Sequence, residues 1–89
     1  MPASEQNTVV NKKKLTILVI GASGMLGHMF VRMLSPHHQV IGTTSSKYDS
    51  KSPLAHILSR EKWIDQVDVR NLPTVEKVIH ETKPDVIIN

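Results

Sequence analysis

Three glycines spaced three apart, in Gly21-Ala22-Ser23-Gly24-Met25-Leu26-Gly27, sit between a short apolar run and a stretch of helical periodicity. That setting constrains the fold more than any other feature of the chain. The run Leu15 to Ile20 is rich in β-branched residues and closed by glycine, as suits a strand buried on both faces of a parallel sheet. Beyond the loop, Leu26, Met29, Phe30, Met33 and Leu34 recur as one face of a helix until Ser35-Pro36 stops it. The segment therefore reads as strand, glycine loop, helix.

Each glycine has a physical reason in that arrangement. Gly21 can turn sharply out of the strand, and Gly24 has no Cβ to obstruct an approaching diphosphate. Gly27, one turn in, lets the helix lie close to the sheet. An anion placed there meets free N–H groups at the positive end of the helix dipole and needs no basic side chain. The competing phosphate loop of nucleotide hydrolases would require lysine directly after Gly27, where this chain has His28. A tight strand-to-helix turn that binds nothing is the plainer alternative, and the strand and helix on either side argue against it.

The rest of the chain repeats the alternation. Gln39 to Thr43 reads as a second strand, with a polar exit loop from Thr44 to Ser52. Ser52-Pro53 starts a short helix with Leu54, Ile57 and Leu58 on its apolar stripe. Trp63 to Val69 gives a third strand. Asn71 caps a helix with Val75, Val78 and Ile79 inside, ended by Lys83-Pro84. Val86 to Ile88 begins a fourth buried strand. The expected fold is α/β, a Rossmann-type parallel sheet of order βαβαβαβ, the first half of a doubly wound domain with spatial strand order 3-2-1-4. Residues 1–14 read as a disordered lead-in, and residues 15–89 as a partial nucleotide-binding domain truncated at its fourth strand.

Composition narrows the function classes. The formal charge is +3, but three of the 11 basic residues are Lys12, Lys13 and Lys14 beside the polar lead-in, and without them the balance is zero. Nucleic acid is therefore not an expected partner. The absence of cysteine excludes a disulfide scaffold or thiolate metal site and fits a reducing compartment, with the cytoplasm as the expected location. No apolar stretch is long enough to span a membrane, and no secretory or transit signal is evident.

With this loop spacing the chain resembles the extended short-chain dehydrogenase/reductase family. Ile17-Leu18-Val19-Ile20-Gly21-Ala22-Ser23-Gly24-Met25-Leu26-Gly27-His28 and Lys83-Pro84-Asp85-Val86-Ile87-Ile88-Asn89 look most like its dTDP-4-dehydrorhamnose reductase branch. The resemblance implies a nicotinamide dinucleotide cofactor, with Gly21, Ser23, Gly24, Met25, Leu26 and Gly27 at the diphosphate. It also implies that the Asp68 carboxylate accepts from the adenine amino group while the Val69 N–H meets the ring, a reading favoured over that of an ordinary solvated loop Asp by its place at a strand's carboxyl end near the switch point. The choice between NADP and NAD falls at the end of the second strand, where an acidic residue would hold the ribose 2′-hydroxyl. Thr44 stands there, followed by Ser45, Ser46 and Lys47, so hydroxyls and a positive charge favour NADP; Asp49 keeps NAD open.

Several residues imitate active-site chemistry. Tyr48 and Lys51 do not have the family's Tyr-x-x-x-Lys spacing, since Ser52 is the residue four after Tyr48. His37-His38 reads as a solvated pair rather than a metal site, and His28, His56 and His80 form no triad. Met25, Met29 and Met33 read as core packing, and Trp63 as a strand-edge or packing residue. The expected function is the NAD(P)-binding segment of an oxidoreductase that reduces a nucleotide-sugar ketone, without catalytic residues and inactive alone. The alternatives are an NAD-dependent sugar-nucleotide epimerase or dehydratase and a non-catalytic dinucleotide sensor. The sugar-nucleotide substrate would engage the part that is missing, and the oligomeric state stays open.

Overall fold

The computed structural model describes residues 13–89. Apart from Lys13 and Lys14, the expected lead-in lies outside the described residues. The elements are β1 (Thr16–Ile20), α1 (Met25–Leu34), β2 (Gln39–Thr43), 3-10 turns at Pro53–His56 and Arg60–Lys62, β3 (Trp63–Ile64), α2 (Leu72–Thr82) and β4 (Val86–Ile88). All strand pairs are parallel and the sheet runs β3-β2-β1-β4, the order expected from the sequence.

β1 explains why its sequence lacks polar alternation. Ile17 and Val19 point into one cluster with Val31, Val40, Leu54, Leu58 and Trp63, while Leu18 points into the other with Val67 and Val78. α1 and the first 3-10 turn thus cover one face of the sheet and α2 the other. β4 is held in register with β1 by Asp85, whose N–H donates to the Thr16 carbonyl and whose carboxylate accepts from the Thr16 N–H at 2.8 Å.

The helix ends follow their sequence signals. Asn71 caps α2 by accepting from the Thr74 N–H, and Lys83 closes it in the left-handed region at φ 47° before Pro84. The Ser35 hydroxyl donates to the Val31 carbonyl where α1 stops. His38 is half-buried rather than solvated, and its Nδ1 accepts from the Leu15 N–H at 3.1 Å, tying the start of β1 to the turn before β2.

Four expectations need correction. The apolar stripe of α1 is rotated: Gly27, Phe30, Val31 and Leu34 face the sheet, whereas Met25, Leu26, Met29 and Met33 are exposed, so the methionines are not core residues. The reason is Gly27. A Cβ there would lie 2.1 Å from the Gly21 carbonyl oxygen, so this position must face the loop, and the rest of the helix follows. The second helix is only a 3-10 turn, capped by the Ser52 hydroxyl as expected, because its apolar anchors span too few residues to sustain an α-helix. The third strand shrinks to Trp63–Ile64, since Gln66 takes the left-handed conformation at φ 57° and turns the chain away. In β4, Val86 and Ile87 are partly exposed instead of buried, because the strand lies at the sheet edge.

Candidate functional site

The glycine loop leaves β1 through Gly21, whose φ of 78° disfavours any side chain with a Cβ. Its N–H donates to the Thr43 hydroxyl at 3.3 Å, and the Ala22 N–H donates to the Thr43 carbonyl at 2.8 Å. These two bonds dock the loop on the carboxyl end of β2. Ala22 is fully buried under the turn, and Gly42 leaves it room: a Cβ at Gly42 would come within 2.8 Å of the Ala22 methyl carbon. A glycine inside a strand marks such close approach, so Gly42 was the available signal for this contact.

Gly24 caps α1 with extended backbone and no side-chain acceptor, and no acidic residue stands in the first turn. The Gly24 N–H donates to the Gly21 carbonyl and the His28 N–H to the Gly24 carbonyl. Among the described residues the N–H groups of Ser23, Met25, Leu26 and Gly27 find no acceptor. Four unpaired donors therefore stand at the positive end of a ten-residue helix, where negative charge is favoured. Beside them a cavity of about 230 Å³ opens between the loop and the end of β4, with Leu26, Phe30, Ile88 and Asn89 in its wall. It lies where the strand order reverses from β1-β2 to β1-β4, the crevice in which doubly wound sheets bind ligands. The exposed Leu26, lost to the core, lines this cavity.

The exit loop of β2 lies along the same edge. Thr44 is buried, and its hydroxyl is already committed: it accepts from the Trp63 indole N–H at 2.7 Å and donates to the Ser46 carbonyl at 2.9 Å. The Thr44 hydroxyl thus has one lone pair left, on a buried side chain. Ser45, Ser46 and Lys47 are exposed, and among the described residues Lys47 has no ion-pair partner. Tyr48, a half-buried loop residue, stacks edge-on against Trp63 at 4.6 Å.

Asp68 and Val69 follow the buried Val67, whose N–H donates to the Thr44 carbonyl, so they reach the same carboxyl edge. Both are exposed. The Asp68 carboxylate accepts from the Arg70 backbone N–H at 2.9 Å and from its guanidinium at 3.1 and 3.2 Å. The Arg70 side-chain bond, reinforced by its backbone N–H, holds the Asp68 carboxyl below the usual carboxylate range. Asp68 is thus an ionised acceptor with lone pairs left toward solvent.

The loop, the exit of β2 and the Asp68 turn, read separately in the sequence, are brought to one edge of the sheet. The Trp63–Thr44 bond and the lining residues Ile88 and Asn89 were not anticipated, since they depend on contacts between distant segments. A family model described as the NAD dependent epimerase/dehydratase family matches residues 17–89. No curated protein and no solved structure matches the chain.

Proposed function

From the premise that the chain belongs to the NAD-dependent epimerase/dehydratase family, we propose that it holds the adenosine and diphosphate of NADP in a reductase acting on a nucleotide-sugar ketone. The observation that carries the binding reading is the set of four unpaired N–H groups at the start of α1, at the switch point of the sheet. Ser23, Met25, Leu26 and Gly27 take the diphosphate through backbone donors, with Gly24 leaving room for its approach and Gly21 shaping the turn. Asp68 accepts from the adenine amino group and the Val69 N–H meets the ring. Ser45 and Lys47 read the ribose, and Thr44 supports them from beneath.

When bound, the dinucleotide supplies the carbon that carries hydride; these residues position it. None of them is assigned as proton donor. Tyr48 stays a packing residue. The family's description is equally compatible with a second reading, an NAD-dependent epimerase or dehydratase.

The test is Gly24→Asp in the full-length protein, with folding followed by circular dichroism. A carboxylate among the N–H donors is expected to weaken NADPH binding by about tenfold or more with the fold intact. Unchanged affinity would overturn the site. Nucleotide released from the purified protein on denaturation separates the two enzyme readings: stoichiometric NAD supports the epimerase or dehydratase, and exchangeable NADP supports the reductase.

A further inference from the structure

The exit loop of β2 is tied to the chain after β3 by an unbroken series of bonds. The Thr44 N–H donates to the Ile64 carbonyl, the Val67 N–H to the Thr44 carbonyl, and the Gln66 N–H to the Ser46 carbonyl at 3.2 Å. The Tyr48 N–H donates to the Asp65 carboxylate at 2.8 Å. At the centre is a side-chain relay, buried at Trp63 and Thr44, in which the Trp63 indole donates to the Thr44 hydroxyl and that hydroxyl donates to the Ser46 carbonyl. The indole has only one donor, and a hydroxyl that accepts it must send its own proton elsewhere. The relay therefore fixes the direction of the Ser46 peptide.

Among the described residues the N–H groups of Ser45, Ser46 and Lys47 have no acceptor, and the three side chains are exposed. Arg60 braces the far side, with its guanidinium 4.6 Å over the Tyr48 ring and donating to the Trp63 carbonyl at 2.7 Å. Three successive unpaired N–H groups, two hydroxyls and one ammonium group thus lie on residues 45–47, donors of the kind that a phosphate dianion requires.

We infer that Trp63 is a specificity-positioning residue: through Thr44 it holds residues 45–47 in the shape that receives the 2′-phosphate, and so sets the preference between NADPH and NADH. The inference rests on the NADP reading given above. A preorganised loop avoids the ordering cost of phosphate binding, whereas the diphosphate and adenine contacts are shared by both cofactors. Loss of the relay should therefore act on one cofactor only. If Trp63 served the core alone, its loss would affect both alike.

The experiment measures dissociation constants for NADPH and NADH in the full-length protein by reduced-nicotinamide fluorescence. The variants are Trp63→Phe, which keeps an aromatic ring without the donor, Thr44→Val, which keeps the shape without the hydroxyl, and Thr44→Ser, which keeps the hydroxyl. Trp63→Phe and Thr44→Val are expected to weaken NADPH about tenfold and NADH less than about twofold, with Thr44→Ser close to wild type. Equal weakening of both cofactors, or an unchanged ratio, would overturn the inference while leaving the NADP reading in place. A wild type without NADPH preference overturns that reading and the inference with it. Should Trp63→Phe not fold, the Thr44→Val and Thr44→Ser pair decides by the same ratio.

Discussion

Gly24 and Gly27 differ in what a methyl group would meet. At Gly24 the nearest atom to an added Cβ is the Gly21 carbonyl oxygen at 3.4 Å, but at Gly27 the same oxygen lies at 2.1 Å and the Ala22 Cα at 2.9 Å. Gly27→Ala must push α1 off the loop and is expected to destabilise the fold by about 1 to 3 kcal/mol. Thermal unfolding followed by circular dichroism measures this, with Gly24→Ala expected to melt close to wild type. The two glycines look alike in the sequence, where only the strand-to-helix context gives them separate roles. Asp68 carries a second residue-scale prediction. Its native pKa is lowered chiefly by the Arg70 side chain, so the stabilising effect of the pair is present above the unfolded carboxyl pKa and fades as pH falls through the lower native one. Arg70→Ala should return the Asp68 carboxyl toward its ordinary value, read by NMR titration; a pKa that stays low would assign the shift to the backbone turn instead. Thr44 illustrates what single positions cannot reveal: its place at the end of β2 was legible, but the commitment of its hydroxyl depends on Trp63, 19 residues away.

Among the elements, α1 was legible in extent but not in rotation. Its sequence carries two overlapping stripes, Leu26-Met29-Phe30-Met33-Leu34 and Gly27-Phe30-Val31-Leu34, and apolarity alone favours the first. Close approach of Gly27 to the loop selects the second, and leaves Met25, Met29 and Met33 along the outer flank. The ends of α2 were easier to read, because caps are local chemistry: Asn71 before the helix and Lys83-Pro84 after it lie where the sequence puts them. Lys83 nevertheless holds a left-handed conformation that costs a residue with a Cβ more than it costs glycine. Lys83→Gly is expected to stabilise the protein by about 0.5 to 1 kcal/mol after the added flexibility of glycine in the unfolded chain is subtracted. A calorimetric melting temperature raised by about 2 to 6 °C would agree, and a fall would mean that Lys83 makes contacts beyond its backbone. β3 was over-read for a related reason. Val67 is buried as a strand residue would be, but it follows the left-handed Gln66, and burial without ladder geometry looks the same in a sequence.

At the scale of the whole molecule, the alternation of strands and helices was enough to give the sheet order, because right-handed crossovers leave few ways to lay four parallel strands. The distribution of cover over that sheet was less legible, since it depends on which faces have neighbours. β1 is enclosed on both faces, whereas β4 pairs only with β1 among the described strands and carries partly exposed Val86 and Ile87. Leu26, Met29 and Met33 add an exposed apolar flank on α1, on the face of the sheet to which Ile88 packs. An unpaired parallel edge with apolar side chains offers backbone donors and acceptors to any similar strand. The 89-residue chain by itself is therefore expected to self-associate as its concentration rises, with a broad melting transition. Sedimentation velocity across a concentration series measures this, and a sharp, reversible transition of a monomer would contradict it. Ile87→Lys separates the two surfaces. Ile87 lies beside Leu18 on the α2 side, so a charge there should block strand pairing without touching the α1 flank. If the variant stays monomeric, the edge drives association; if it associates as before, the methionine flank does.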